Sequence, residues 1–85
     1  MTTDNAMLEM LEKVQPLQAE VLRKHYDAHI DAGTYGKYRD EPYISIEFTI
    51  FDETDIIFDI DFDAHDTQEM LDANLARLKA FINSL

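Results

Sequence analysis

Between residues 43 and 63 apolar and polar side chains alternate almost without interruption. Ile44, Ile46, Phe48 and Ile50 fall on one side, with Tyr43, Ser45, Glu47, Thr49 and Phe51 on the other. A second run sets Ile56, Phe58, Ile60 and Phe62 against Ile57, Asp59, Asp61 and Asp63. A period of two marks a strand buried on one face only, so two such runs in succession predict an antiparallel hairpin. Paired residues share a face, and an even loop such as 52–55 would match apolar with acidic positions, so parity calls for an odd loop. A loop of Asp52, Glu53 and Thr54 then sets Phe51 opposite Asp55, Thr49 opposite Ile57, Glu47 opposite Asp59, Ser45 opposite Asp61 and Tyr43 opposite Asp63.

The flanking segments are helical in period. Met7, Leu8, Met10, Leu11 and Val14 follow a candidate N-cap at Thr3 or Asp4. Pro16 removes a donor and disfavours helix at Gln15, which predicts a kink or break before a second helical segment over 17–32, with Gly33 as its C′ residue. Residues 33–42 hold both glycines and Pro42, and read as a connecting loop in which Tyr35 and Tyr38 flank Lys37 and precede Arg39. At the C-terminus Asp66 and Glu69 have capping-box spacing, and Met70, Leu71, Leu75, Leu78, Phe81, Ile82 and Leu85 cover one arc of a helix over 66–85. Ala73, Ala76 and Ala80 on the far side are either plain helix formers or a smooth face for another helix.

These elements describe an α+β fold in a single domain, 1–85: helical over 1–32, loop over 33–42, acidic hairpin over 43–63 and a final helix, forming a helix-helix-hairpin-helix sandwich with helices on one sheet face. A two-stranded sheet is marginal alone, so either helix packing suffices or two chains pair edges into a four-stranded sheet, which makes a homodimer an expectation to test.

Composition adds a charge that is local. The chain of 85 residues has a net charge of −11, yet from Asp40 to Asp72 there are twelve acids and no Lys or Arg. At 46% hydrophobic the chain has material for one small core despite this charge. The absence of cysteine excludes disulfides and thiolate metal sites, no apolar run reaches the ~20 residues of a membrane span, and residues 1–5 lack signal-peptide character, so the expected setting is cytoplasmic. An acidic surface disfavours direct contact with nucleic acid or anionic membrane and favours basic proteins or metal cations.

No catalytic pattern emerges. Ser45 and Ser84 lack a nucleophile-elbow context, no glycine-rich phosphate loop exists, and the carboxylates are too alike to single out an acid and a base, so the chain reads as non-enzymatic with no cofactor. Asp59, Asp61 and Asp63 match the first ligand positions of an EF-hand loop, but Ala64 stands where the glycine belongs and Met70 where the bidentate glutamate belongs, so no dedicated metal site is assigned. His25 and His29 would share a helical face, and nothing completes a zinc set.

The hairpin's outer face is the candidate partner-binding surface: Glu47, Asp59, Asp61 and Asp63, assisted by Asp52, Glu53 and Asp55 at the turn. Alternate strand side chains stand about 6.8 Å apart, close to the roughly 7 Å between successive phosphates of a nucleic-acid strand. The expected function is an inhibitor or regulator that mimics nucleic-acid charge and occupies a basic, nucleic-acid-binding protein. The alternatives are an assembly module acting through a homodimer interface and a divalent-metal-dependent regulator.

Overall fold

The computed structural model describes residues 2–36 and 41–85. Its elements are α1 (Asp4–Arg23), β1 (Asp27–Tyr35), β2 (Tyr43–Asp52), β3 (Asp55–Asp63) and α2 (Gln68–Ser84). The strands form one antiparallel sheet in the order β1-β2-β3. The fold is α+β, but with two helices and three strands in place of three helical segments and a two-stranded hairpin.

In α1 the buried positions are Met7, Met10, Val14, Leu17 and Val21, spaced alternately by three and four, so one narrow stripe meets the sheet. Thr3 caps the helix by accepting a hydrogen bond from the Ala6 amide at 3.2 Å. The helix runs on through Pro16. The carbonyl that proline leaves unpaired belongs to Glu12, and both residues lie on the exposed side, where water replaces the missing bond.

The helix then stops nine residues before the expected end at Ala32. His25 adopts φ 68°, its amide bonds the Leu22 carbonyl, and the Tyr26 amide reaches back to the Val21 carbonyl at 3.3 Å. This is a Schellman closure with histidine in the place that glycine usually fills. Gly33, expected to end the helix, lies within β1 opposite Ser45.

β1 alternates as a one-face strand should: Asp27, His29 and Asp31 on one side, Ala28, Ile30 and Ala32 on the other. The core takes Ala28 from β1, Ile46, Phe48 and Ile50 from β2, and Ile60 and Phe62 from β3. Both helices cover this inner face side by side. The segments leading into them meet where the Thr2 amide donates to the Ala64 carbonyl at 2.7 Å, and their C-terminal ends meet where Nζ of the cap residue Lys24 donates to the Ile82 carbonyl at 2.6 Å. In α2 the buried stripe is Leu71, Leu75, Leu78 and Ile82, while Phe81 stacks on Phe58 at a centroid distance of 4.5 Å. Ala73, Ala76 and Ala80 face solvent, as does Met70. Thr67, not Asp66, caps α2, accepting from the Met70 amide at 3.2 Å. No helix among the described residues is long and apolar enough to cross a membrane.

The hairpin satisfies parity in an unexpected way. Asp52 pairs with Asp55, so the loop is the even pair Glu53-Thr54, with φ 56° at Glu53. A bulge then intervenes: Ile50 pairs with Phe58 but Phe51 with Ile56, leaving Ile57 as the extra residue. Beyond it the register is Thr49 with Asp59, Glu47 with Asp61 and Ser45 with Asp63, two residues from the expected pairing. Ile56, expected on the buried face, instead pairs with outward-facing Phe51 and is 62% exposed.

A left-handed conformation costs a side-chain-bearing residue about 1–2 kcal/mol, part of which glycine's greater unfolded freedom offsets. His25→Gly is therefore expected to stabilise the fold by about 0.5–1 kcal/mol, read as a higher urea midpoint with unchanged slope. An unchanged or lower midpoint would mean that the His25 side chain contributes more than its backbone costs.

Candidate functional site

The outer sheet face is built by alternation. Because Ile46, Phe48 and Ile50 enter the core, Glu47, Thr49 and Ser45 must point away from it, and the strands on either side follow the same phase. Successive rows across the sheet read Asp27, Phe51, Ile56; His29, Thr49, Asp59; Asp31, Glu47, Asp61; Gly33, Ser45, Asp63; and Tyr35, Tyr43. Rows repeat about every 6.8 Å along the strands and neighbours lie about 4.8 Å apart across them. Six carboxylates thus occupy one surface, with Asp31, Glu47 and Asp61 aligned across all three strands.

The hydrogen-bond phase brings the β2 and β3 members together. Inner-facing Ile44 accepts from the Ala64 amide, so the inner residues form the hydrogen-bonded pairs of this ladder and the outer ones the closer, non-hydrogen-bonded pairs. Carboxylate oxygens of Glu47, Asp59 and Asp61 lie within 4.8 Å of one another. Thr49 Oγ1 donates to Asp59 at 3.0 Å. The negative charge of Asp59 beside it raises the Glu47 pKa from its ordinary 4.5, with desolvation and the charges of Asp61 and Asp31 adding to the effect. Desolvation raises Asp61 from 3.8, helped by Asp59, Asp63 and Asp66. Asp27 moves the other way, lowered by its hydrogen bond with His29 at 2.9 Å.

Neutralising partners stand elsewhere. The outer-face positions of the described strands hold no Lys or Arg; Lys13, Arg23 and Lys24 belong to α1 and its cap, and Arg77 and Lys79 to α2. Among the described residues the basic side chains that meet a carboxylate are histidines, by hydrogen bond: His29 with Asp27 at 2.9 Å, and His65 with Asp63 at 2.8 Å.

Of the expected site residues, Glu47, Asp59, Asp61 and Asp63 do share the outer face. Asp52, Glu53 and Asp55 lie exposed at the hairpin end, beyond Phe51, Ile56 and Ile57. The extended backbone of β3 excludes an EF-hand loop at Asp59, Asp61 and Asp63. His25 and His29 do not form a helical pair, because His25 closes α1 while His29 stands on β1 with its ring edge against Phe51 at 5.1 Å. Asp27 and Asp31 were not in the expected set; the period-two run of residues 27–32 was the signal for them. Aromatic groups close the two ends of the array, His29 and Phe51 at one, and at the other Tyr43, which stacks on Tyr35 at 6.1 Å and meets His65 at 4.4 Å. Lys37, Tyr38, Arg39 and Asp40 lie outside the described residues.

No protein family, curated protein or solved structure matches the chain.

The raised groups set the sign of a pH effect. Glu47 and Asp61 hold protons more tightly folded than unfolded, so their contribution is full below the ordinary values of 4.5 and 3.8 and is lost as pH rises through the raised ones. A Glu47→Gln, Asp61→Asn variant is expected to be more stable than the parent at about pH 7 by up to about 1 kcal/mol, screening at this exposed face keeping the gain small. The advantage should vanish under acid conditions. Denaturation curves showing an advantage independent of pH would contradict the coupling.

Proposed function

We propose that the chain is a non-enzymatic binding protein whose outer sheet face docks on the basic surface of a nucleic-acid-binding protein, acting there as an inhibitor or regulator that mimics nucleic-acid charge. One observation carries the reading: Asp27, Asp31, Glu47, Asp59, Asp61 and Asp63 share one face without a Lys or Arg among them. A surface serving solubility alone usually mixes signs. The like charges of Glu47 and Asp61 directly across a pair oppose folding, whereas a cationic partner relieves that repulsion and is steered by the same field. The carboxylates of β3, about 6.8 Å apart, offer Lys and Arg side chains a ladder of phosphate-like pitch. In this reading Asp52, Glu53 and Asp55 extend the contact at the hairpin end.

A second reading rests on the convergence of Glu47, Asp59 and Asp61 within 4.8 Å: a divalent cation held by these oxygens, with binding of the partner dependent on it. Chelator separates the two, because it abolishes only the cation-dependent contact.

The test is capture at low salt on the immobilised protein, followed by competition with duplex DNA. The retained partner is expected to be basic, to be released between about 0.05 and 0.5 M salt, and to be displaced by the DNA. The Asp59→Asn, Asp61→Asn variant should bind it at least about tenfold more weakly, a loss of about 1.4 kcal/mol. Unchanged affinity of that variant, or a partner indifferent to both salt and DNA, would overturn the proposal.

A further inference from the structure

The two edges of the sheet differ in a way that singles out one of them. On β3 the outward-pointing backbone is occupied towards its end: the Asp63 amide donates to Asp66 Oδ2 at 3.2 Å, the Asp63 carbonyl accepts from the Asp66 amide at 2.9 Å, and the Asp61 carbonyl accepts from Asn74 Nδ2 at 3.3 Å. The bulge at Ile57 interrupts the other end, so the stretch of β3 edge left without a bond among the described residues is short, the Asp59 groups and the Asp61 amide.

β1 is closed at its start only. The Ala28 amide donates to Asp27 Oδ1 at 2.9 Å, and the Ala28 carbonyl accepts from Gln18 Nε2 at 2.8 Å. Both groups of Ala28 therefore point away from β2, and in an antiparallel strand so must those of Ile30, Ala32 and Thr34. No described residue outside the sheet bonds the backbone of those three on that side. The helix layer reaches Ile30, which is half-buried, and stops short of the other two: from Asp31 to Tyr35 the strand is exposed, including the inner-face residues Ala32 and Thr34.

We infer that the open stretch of β1, Ile30 to Thr34, accepts an extended segment of the partner as a fourth strand, with basic residues at the positions that join the outer face. This rests on the proposed function and specifies its partner. Charge complementarity selects the occupant. An added strand in phase with β1 places one set of alternate side chains beside Asp31, continuing the row Asp31, Glu47, Asp61, where a cation is favoured. Its other set falls on the inner face over Ala32 and Thr34, where apolar side chains remove exposed surface. The fitting segment alternates apolar and basic residues; main-chain bonds supply affinity and the alternate positions supply choice. A second copy of this chain brings its own Asp27 and Asp31 to the same edge.

The probe is a blocked peptide alternating valine and lysine, about seven residues long, an ordinary strand length, with a control of the same composition whose lysines are contiguous. Titrations followed by amide hydrogen exchange should show the alternating peptide binding at least about tenfold more tightly, with new protection at Ile30, Ala32 and Thr34. Ala32→Pro removes an amide that β2 does not use, so the variant should fold, lose that preference and keep the control's affinity. Equal binding of both peptides without β1 protection overturns the edge and leaves the acidic face standing. Binding of neither peptide overturns both readings. Protection of β1 that grows with protein concentration in the absence of peptide assigns the edge to self-association and overturns the inference. If Ala32→Pro does not fold, the protection pattern of the parent chain decides alone.

Discussion

The burial of Ile46, Phe48 and Ile50 in the central strand is the constraint from which the rest of this structure follows. These three side chains are fully enclosed between the helices and the neighbouring strands. Their phase compels Ser45, Glu47 and Thr49 outward, and backbone pairing transmits the same phase to β1 and β3. A slip of one residue at any pairing would bring a carboxylate into the core, at a cost well beyond that of any surface interaction in the molecule. The acidic face is thus held in place by hydrophobic burial on its reverse, which is why mutually repelling carboxylates can be kept within 4.8 Å of one another.

The bulge at Ile57 belongs to the same logic. A two-residue turn alone would set apolar against acidic positions along the whole hairpin, and one inserted residue corrects the phase from Phe58 onward. Its consequence is local: Ile56 and Ile57 come to the surface beside Phe51, while Phe58, Ile60 and Phe62 keep the core side. The strand end therefore exchanges some apolar burial for a tight connection. Parity was a sound constraint on the register, but it admits two solutions, an odd loop or an even loop with a bulge, and local composition does not choose between them.

The acidic strands, the first half of the α1 stripe and most of the α2 stripe were legible from their periods, but Leu8 and Met70, read onto those stripes, are exposed, and the break expected at Pro16 does not occur. β1 was not legible. Of Ala28, Ile30 and Ala32 only Ile30 is strongly apolar, so their alternation carries little hydrophobic contrast, and the helix-forming run before them has no glycine or proline at its true end. The stop lies in the left-handed backbone of His25, which sequence preference assigns to glycine. Losing β1 meant losing Asp27 and Asp31 from the site, and with them the row of acids that crosses all three strands.

From the residues alone came the number of layers, the sign of the exposed face and the identity of its β2 and β3 carboxylates, because these depend on the period of side chains and on the simple separation of apolar from charged groups. Tertiary structure alone decided where α1 ends, which acids stand opposite one another, and which sheet edge is left open. Each of those is a competition between nearly equal local conformations, settled by contacts between residues far apart in the chain: Gln18 with Ala28, Asn74 with Asp61, and the helix stripes with the sheet.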